Sequence, residues 1–538
     1  MAGQFTWFDY VVLILYFGSM AALGPLFRHS AKTTEGYLLG DRSFAGWLVG
    51  FSMFATSISS IAFVGYPADG YKTAWYRMTQ NYVMPLAILF AAYFFLPFFR
   101  RTQITSAYEY LEDRFGPMTR LYASCAFLIS QVVRVSLILY LVSVLLYSIT
   151  GWKFVVIING IEVDLGPYLC ILVGGCITSF YTVLGGIKAV MWTDFIQALV
   201  LWGGAFICLG VIIHQLPGGI GQVFETAAEY HKFGFYDLGA DGKTLEPVPF
   251  WGGLQEKTIS IFLIVGLSNW LWEYSANQTV IQRYAASKST RQAKIAMWVC
   301  TAFSLPTWAM FMFTGTALFA FYQQFPDPAA QEMLTGARKA EGILPYFVIK
   351  QLPVGLTGLV IAGVLAAAMS SLSSSISAVS AVSLVDIYKR HVAPGRTDQH
   401  YVRFAKSVGW FMSIVMIVGA SVLYAADSKT LLDVGTILNA LTVGGLLGIY
   451  CLGFFTTVGD DRAIVVGILC TLCYTGWSAL TSVGVVDVSL RLNHNYYTGL
   501  ISHILIFLIG YTLGALITGR RKGLENLTVW TATGKPVE

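Results

Sequence analysis

Thirteen apolar runs divide this chain, each long enough to cross a hydrocarbon core about 30 Å thick. They lie near residues 7–27, 44–65, 80–99, 120–149, 166–185, 188–214, 258–280, 295–322, 354–385, 404–425, 432–454, 463–485 and 498–518. In lipid, backbone N–H and C=O groups must bond within their own segment, which a helix achieves. The chain is therefore expected to be an all-α polytopic membrane protein with about 13 transmembrane helices. Only 12% of its 538 residues are charged, against roughly 25% in soluble domains. Met1 to Trp7 lacks a basic leader region and Asp9 sits just inside the first run, so that run is expected to remain as a span.

Charge predicts the orientation. With the N-terminus outside, the inner loops hold 22 of the 34 Lys and Arg residues, among them Arg114, Arg120, Lys188 and Arg283. That bias favours an outside N-terminus and a cytoplasmic C-terminus. The longest outer loop, about 215–257, reads as a solvated connector. The eight cysteines are scattered, and Cys470 and Cys473 share an apolar helix where packing is the plain reading. The seven histidines show no ligand spacing, and no phosphate-cradling Walker pattern occurs. An enzyme or an ATP-driven pump is not expected, and neither is a nucleic-acid or obligate protein partner.

The segment Ala366 to Ser377 places six serines in twelve residues of an otherwise apolar span. Polar groups at membrane depth need partners, and hard cations such as Na⁺ take oxygen ligands. The second span carries Phe54-Ala-Thr-Ser-Ile-Ser-Ser-Ile-Ala62. A helix broken near Ala55 to Ser59 would free the carbonyls of Ala55 and Ile58, to join the Ala367 carbonyl and the hydroxyls of Ser370 and Ser371. The alternative is that small residues merely allow close packing, or that the serines bond back to the preceding turn. The seventh span, 258–280, also looks interrupted, and paired breaks in two halves suggest an inverted repeat with its site at the breaks.

Asp194 lies at the start of the sixth span, either as a functional acid or as a helix cap. Arg134 lies near the middle of the fourth span, too deep to reach water easily. Its guanidinium suits a carboxylate, supplied either by a substrate or by a protein acid such as Glu273 or Asp194.

Together these stretches resemble the solute:sodium symporter family over roughly Phe8 to Gly519. The resemblance is carried by Gly36–Trp47, Ala55–Ser60, Ile104–Glu112, Gly185–Gln197, Asn277–Arg283 and the serine segment continuing to Asp386-Ile-Tyr388. It implies a LeuT-type fold of two five-helix inverted repeats, over 44–214 and 258–454. An extra helix at 7–27 would precede them, with further helices over 463–518 and a cytoplasmic tail at 519–538 after them.

The resemblance further implies a first Na⁺ at Ala55, Ile58, Ala367, Ser370 and Ser371, and a second at Asp194, Ser373 and Ser374. The galactose-type pattern is missing, because the matching positions read Ile61, Ala62, Asn81 and Ala302. Sialic acid transporters match better. They imply Arg134 as the carboxylate clamp, with Ser57, Ser59 and Asn81 at substrate-contact positions. Two departures stand out: Ala62 replaces a hydroxyl residue and Asn81 replaces a Gln. The expected activity is Na⁺ symport of a sugar acid, N-acetylneuraminate first, in a bacterial inner membrane. A neutral sugar or small monocarboxylate is the runner-up, and a membrane sensor or channel is the rival class.

Overall fold

The computed structural model describes residues 5–101, 104–158, 161–239, 244–425, 444–482, 484–517, 519 and 523–531. The longer helices are α1 (Trp7–Phe27), α2 (Gly46–Ser57), α3 (Ser60–Lys72), α4 (Trp75–Arg100), α5 (Pro117–Thr150), α6 (Gly166–Gln215) and α7 (Gly219–Glu229). They continue with α8 (Ile259–Ser275), α9 (Gln278–Ala285), α10 (Thr290–Gln324), α11 (Leu356–Val382), α12 (Asp398–Ala425), α13 (Leu446–Phe455), α14 (Asp461–Ser482) and α15 (Tyr497–Ile517). Among the described residues, nine helices are long and apolar enough to cross a membrane, and the bent pair α2–α3 makes ten. The predicted run at 432–454 is described only from residue 444.

The serine-rich run becomes α11 and forms the centre of the molecule. Every residue from Val360 to Val382 is buried, as suits a helix that carries no charged face to turn outward. Helix α1 is pinned to it by Asp9. One carboxylate oxygen accepts from the Thr6 backbone at 2.9 Å, and the other accepts from Gly358 N at 2.7 Å. A single buried acid thus occupies the positive ends of two helices.

Residues 166–215 follow one another in helical hydrogen bonding without a gap, yet fifty residues of straight helix would span about 75 Å, far more than a bilayer core. Gly186, with φ 60° and ψ −158°, breaks it into two. Only glycine adopts that geometry without strain, so the boundary predicted between 185 and 188 falls at this residue. Helices α3 and α10 cross at Gly70 and Gly315. A Cβ on Gly70 would meet Met312 O at 2.3 Å, and one on Gly315 would meet Pro67 O at 2.1 Å. Their backbones touch because neither residue has a side chain.

Two expectations change here. The connector after α6 is not merely solvated: it contains α7 and a short hairpin, Tyr236–Leu238 with Leu245–Pro247. It also buries Lys232, whose ammonium donates to the carbonyls of Tyr71 (2.7 Å) and Thr73 (2.9 Å) above the Phe319 ring. Burial lowers the Lys232 pKa to about 7. Likewise, Arg114 and Arg120 are not loop cations. Arg114 is fully buried and donates to the carbonyls of Gly453, Thr456, Val458 and Gly459. Arg120 holds Asp386 at 2.5 Å and Glu112 at 2.9 Å. Excess cations marked a side of the membrane in the sequence; several of them stitch helix ends together in the fold.

Candidate functional site

Helix α2 ends where Ile58 leaves helical geometry (φ −95°, ψ 95°), and α3 starts with Ser59 as its cap, accepting from Ala62 N at 3.4 Å. The two halves meet at 62°. The break turns the Ile58 carbonyl out of the helical ladder and leaves the last carbonyls of α2 in need of partners. Helix α11 supplies them. Ser370 Oγ donates to Ala55 O at 2.8 Å and Ser371 Oγ reaches Thr56 O at 3.4 Å. The same hydroxyls approach Ala367 O at 3.1 and 3.3 Å. Ala55, Ala367, Ser370 and Ser371 are therefore in one place, beside Ile58 at the break. Back-bonding to the preceding turn is also real: Ser373 and Ser374 bond to Ser370 O, and Ser375 bonds to Ser371 O.

Asp194 is fully buried, eight residues past the Gly186 break, and caps no helix. Its Oδ2 accepts from Ser52 Oγ at 2.5 Å and from the Arg283 guanidinium at 3.1 Å. Arg283 is likewise fully buried, which corrects its expected place in an inner loop. It donates as well to Ser52 Oγ (2.9 Å), Thr279 O (2.7 Å) and Ser374 Oγ. The seventh span does not end at 280. It breaks at Ala276 and restarts as α9, whose cap Asn277 accepts from Thr279 N at 3.0 Å. The polar start Asn277-Gln278-Thr279 looks like a loop in sequence but is a buried helix N-terminus. Asn277 three and four residues before Val280 and Ile281, with Arg283 one helical turn after Thr279, is the pattern that could have revealed it.

Ser374 Oγ is fully engaged. It bonds to Ser370 O at 2.5 Å, shares 2.8 Å with Thr56 Oγ1 and faces Arg283. A buried pair such as Asp194–Arg283 is costly to break, about 3–5 kcal/mol when one partner is removed.

Ser57, Ala62 and Asn81 line a cavity of about 230 Å³ together with Tyr66, Trp270 and Trp308. Asn81 Nδ2 donates to Tyr66 OH at 2.7 Å, while Trp270 Nε1 donates to Gln80 O at 3.1 Å. Sequence reasoning missed the aromatic members, because nothing in the local pattern distinguishes them from core residues. Ser59 and Arg134 do not line this cavity. Arg134 is half-buried, midway along α5, and has no carboxylate within 4.0 Å among the described residues. Glu273, an acid on which the Arg134 charge acts, accepts from Asn277 Nδ2 at 2.8 Å. A second cavity of about 620 Å³ lies between α3 and α5, lined by Ser60, Asp69, Arg77, Leu141, Leu145 and Ser148. Leu141, Leu145 and Ser148 stand about two, three and four turns beyond Arg134 on one face of α5, while Arg134 itself does not line this cavity.

The model of the sodium:solute symporter family matches residues 37–446. The sodium/sialic acid symporter SiaT of Proteus mirabilis is 34% identical over 471 residues, 87% of this chain and 89% of that protein. The sodium/sialic acid symporter NanT of Aliivibrio fischeri is 29% identical, over 95% of this chain and 93% of its own length. A solved structure of a substrate-bound, outward-open Na⁺-coupled sialic acid symporter superposes with a TM-score of 0.82 and 29% identity, over 96% of this chain.

Proposed function

The chain belongs to the sodium:solute symporter family, and from that premise we propose that it moves a sugar acid, N-acetylneuraminate first, across a bacterial inner membrane by Na⁺ symport. The observation that carries the substrate class is Arg134, a guanidinium at mid-helix with no carboxylate within 4.0 Å among the described residues. A substrate carboxylate would supply the missing anion. Ser57, Asn81 and Ala62 would shape the sugar pocket, and Ser59 would meet the ligand at the helix break. Ala62 and Asn81 leave room for an acidic sugar that differs in its side groups.

One Na⁺ would sit at the break, held by the carbonyls of Ala55, Ile58 and Ala367 and the hydroxyls of Ser370 and Ser371. A second would sit by Asp194 and Ser373, with Ser374 at its edge. Two Na⁺ with one monoanion carry a net charge of +1, so uptake would gain about 2.3 kcal/mol per 100 mV. Binding of ions and substrate would favour each other reciprocally. We further propose 13 spans, an outside N-terminus and a cytoplasmic C-terminus, with repeats over 44–214 and 258–454 flanked by 7–27, 463–518 and a tail at 519–538.

The test is binding to the purified protein of N-acetylneuraminate, a neutral hexose and a small monocarboxylate, each in Na⁺ and in K⁺. Na⁺-dependent binding of N-acetylneuraminate alone is expected. Binding of only a hexose would refute the role given to Arg134.

A further inference from the structure

Two fully enclosed oxygens beside the Asp194 cluster have no partner among the described residues: Asp194 Oδ1 and Gln197 Oε1. They stand three residues apart on α6 and so share one face of one helix. Asp194 commits its other oxygen to Ser52 and Arg283. Gln197 commits its amide nitrogen to Tyr181 OH at 3.3 Å. Ser373, buried as well, neighbours both Asp194 and Tyr181. Tyr16 of α1 reaches the same place. Its hydroxyl bonds Met369 Sδ at 3.5 Å, and it neighbours Gln197.

Enclosed acceptors of this kind persist where something positive meets them. The convergent atoms are all oxygens, which selects a hard cation over a transition metal. Their single carboxylate is already half neutralised by Arg283, so the site suits one positive charge and would hold two poorly. Ser374 contributes little, because its hydroxyl is taken by Arg283, Thr56 and Ser370 O.

Resting on the two-Na⁺ reading above, we propose that Gln197 is a ligand of the second Na⁺. Its Oε1 takes the position expected of Ser374 and acts with Asp194 Oδ1 and Ser373 Oγ. Tyr16 is the positioning residue, so the extra N-terminal helix helps to build the ion site.

The experiment uses the purified full chain and two readouts. One is thermal stabilisation by Na⁺ without substrate, and the other is the Na⁺ dependence of N-acetylneuraminate binding. Gln197→Met keeps the volume and removes the oxygen. It should raise the Na⁺ concentration for half-maximal stabilisation about tenfold, equivalent to about 1.4 kcal/mol, and lower the Hill slope of substrate binding from near two to near one. Ser374→Ala should shift the midpoint less than Gln197→Met, and Tyr16→Phe should shift it in the same direction by a smaller factor. An unchanged midpoint and slope in Gln197→Met would overturn the assignment, with a buried water as the partner of both oxygens. If Gln197→Met is already unstable in K⁺, Gln197→Asn decides: it withdraws the carbonyl by one methylene, and an unmoved midpoint there overturns the assignment equally. A wild-type slope of one that Asp194→Asn leaves unchanged would instead remove the two-Na⁺ reading itself.

Discussion

Arg283 and Arg134 are two guanidiniums on helices, α9 and α5, and the fold treats them differently. Arg283 is fully buried and donates to Asp194, Ser52, Ser374 and the Thr279 carbonyl. Arg134 is half-buried and has no described acid within 4.0 Å. A buried charge must be paired or it is excluded. Where the protein supplies every partner, the cation ties helices together. Where no carboxylate is in contact, as at Arg134, the proposed substrate would bring its own. A buried or half-buried guanidinium can therefore serve two ends, and the inventory of its partners separates them.

The contrast breaks most readily at Arg283. Arg283→Met should strand the Asp194 carboxylate and cost about 3–5 kcal/mol of stability, seen as a large loss of thermal stability in detergent and loss of uptake. If the variant folds and transports normally, the pair is not the strut inferred here. Arg134→Ala should do the opposite: stability stays near wild type while Na⁺-driven uptake of N-acetylneuraminate disappears. A matching loss of stability would show that Arg134 has a protein partner after all.

Asp194→Asn sharpens the comparison from the acid's side. The Na⁺ Hill slope of uptake should fall from near two toward one, and an unaltered slope would reduce Asp194 to the counter-ion of Arg283. A smaller effect is expected at the cavity. Tyr66→Phe removes the acceptor of Asn81 and should weaken substrate binding about fivefold, the equivalent of about 1 kcal/mol for one hydrogen bond, which equilibrium titration would detect.

Lys232 adds a cation buried outside the candidate spans, held by two carbonyls and by no acid among the described residues. Its folded pKa, about 7, lies below that of a free lysine, near 10.4. The unfolded chain then holds more protons between those values, so this residue's contribution to stability rises as pH increases from about 7 toward 10. Melting curves across that range should show the rise in the wild type and a flatter profile in Lys232→Met. Equal slopes would mean that the ammonium stays charged in the fold.

Much of this was legible in the residues. The run at 7–27 matches α1, and the break expected near Ala55 to Ser59 occurs at Ile58–Ser59. The serine segment and the second span could be paired because hydroxyls at membrane depth and freed carbonyls are each other's natural partners. Arg283 was illegible because the polar start of α9 resembles a loop until the break at Ala276 is known. Trp270, Trp308 and Tyr66 were illegible because an aromatic that lines a cavity and one that fills a core look alike along a chain.

The sequence by itself determined that this chain is a bundle of membrane helices with two interrupted segments. Hydrocarbon admits no unpaired backbone, and apolar runs of that length permit little else. Only the tertiary structure decided which charges are mutually satisfied and which oxygens are left over. Pairing depends on distances of about 3 Å between residues far apart in the chain, such as Asp194 with Arg283 or Ser370 with Ala55, and no local pattern encodes them.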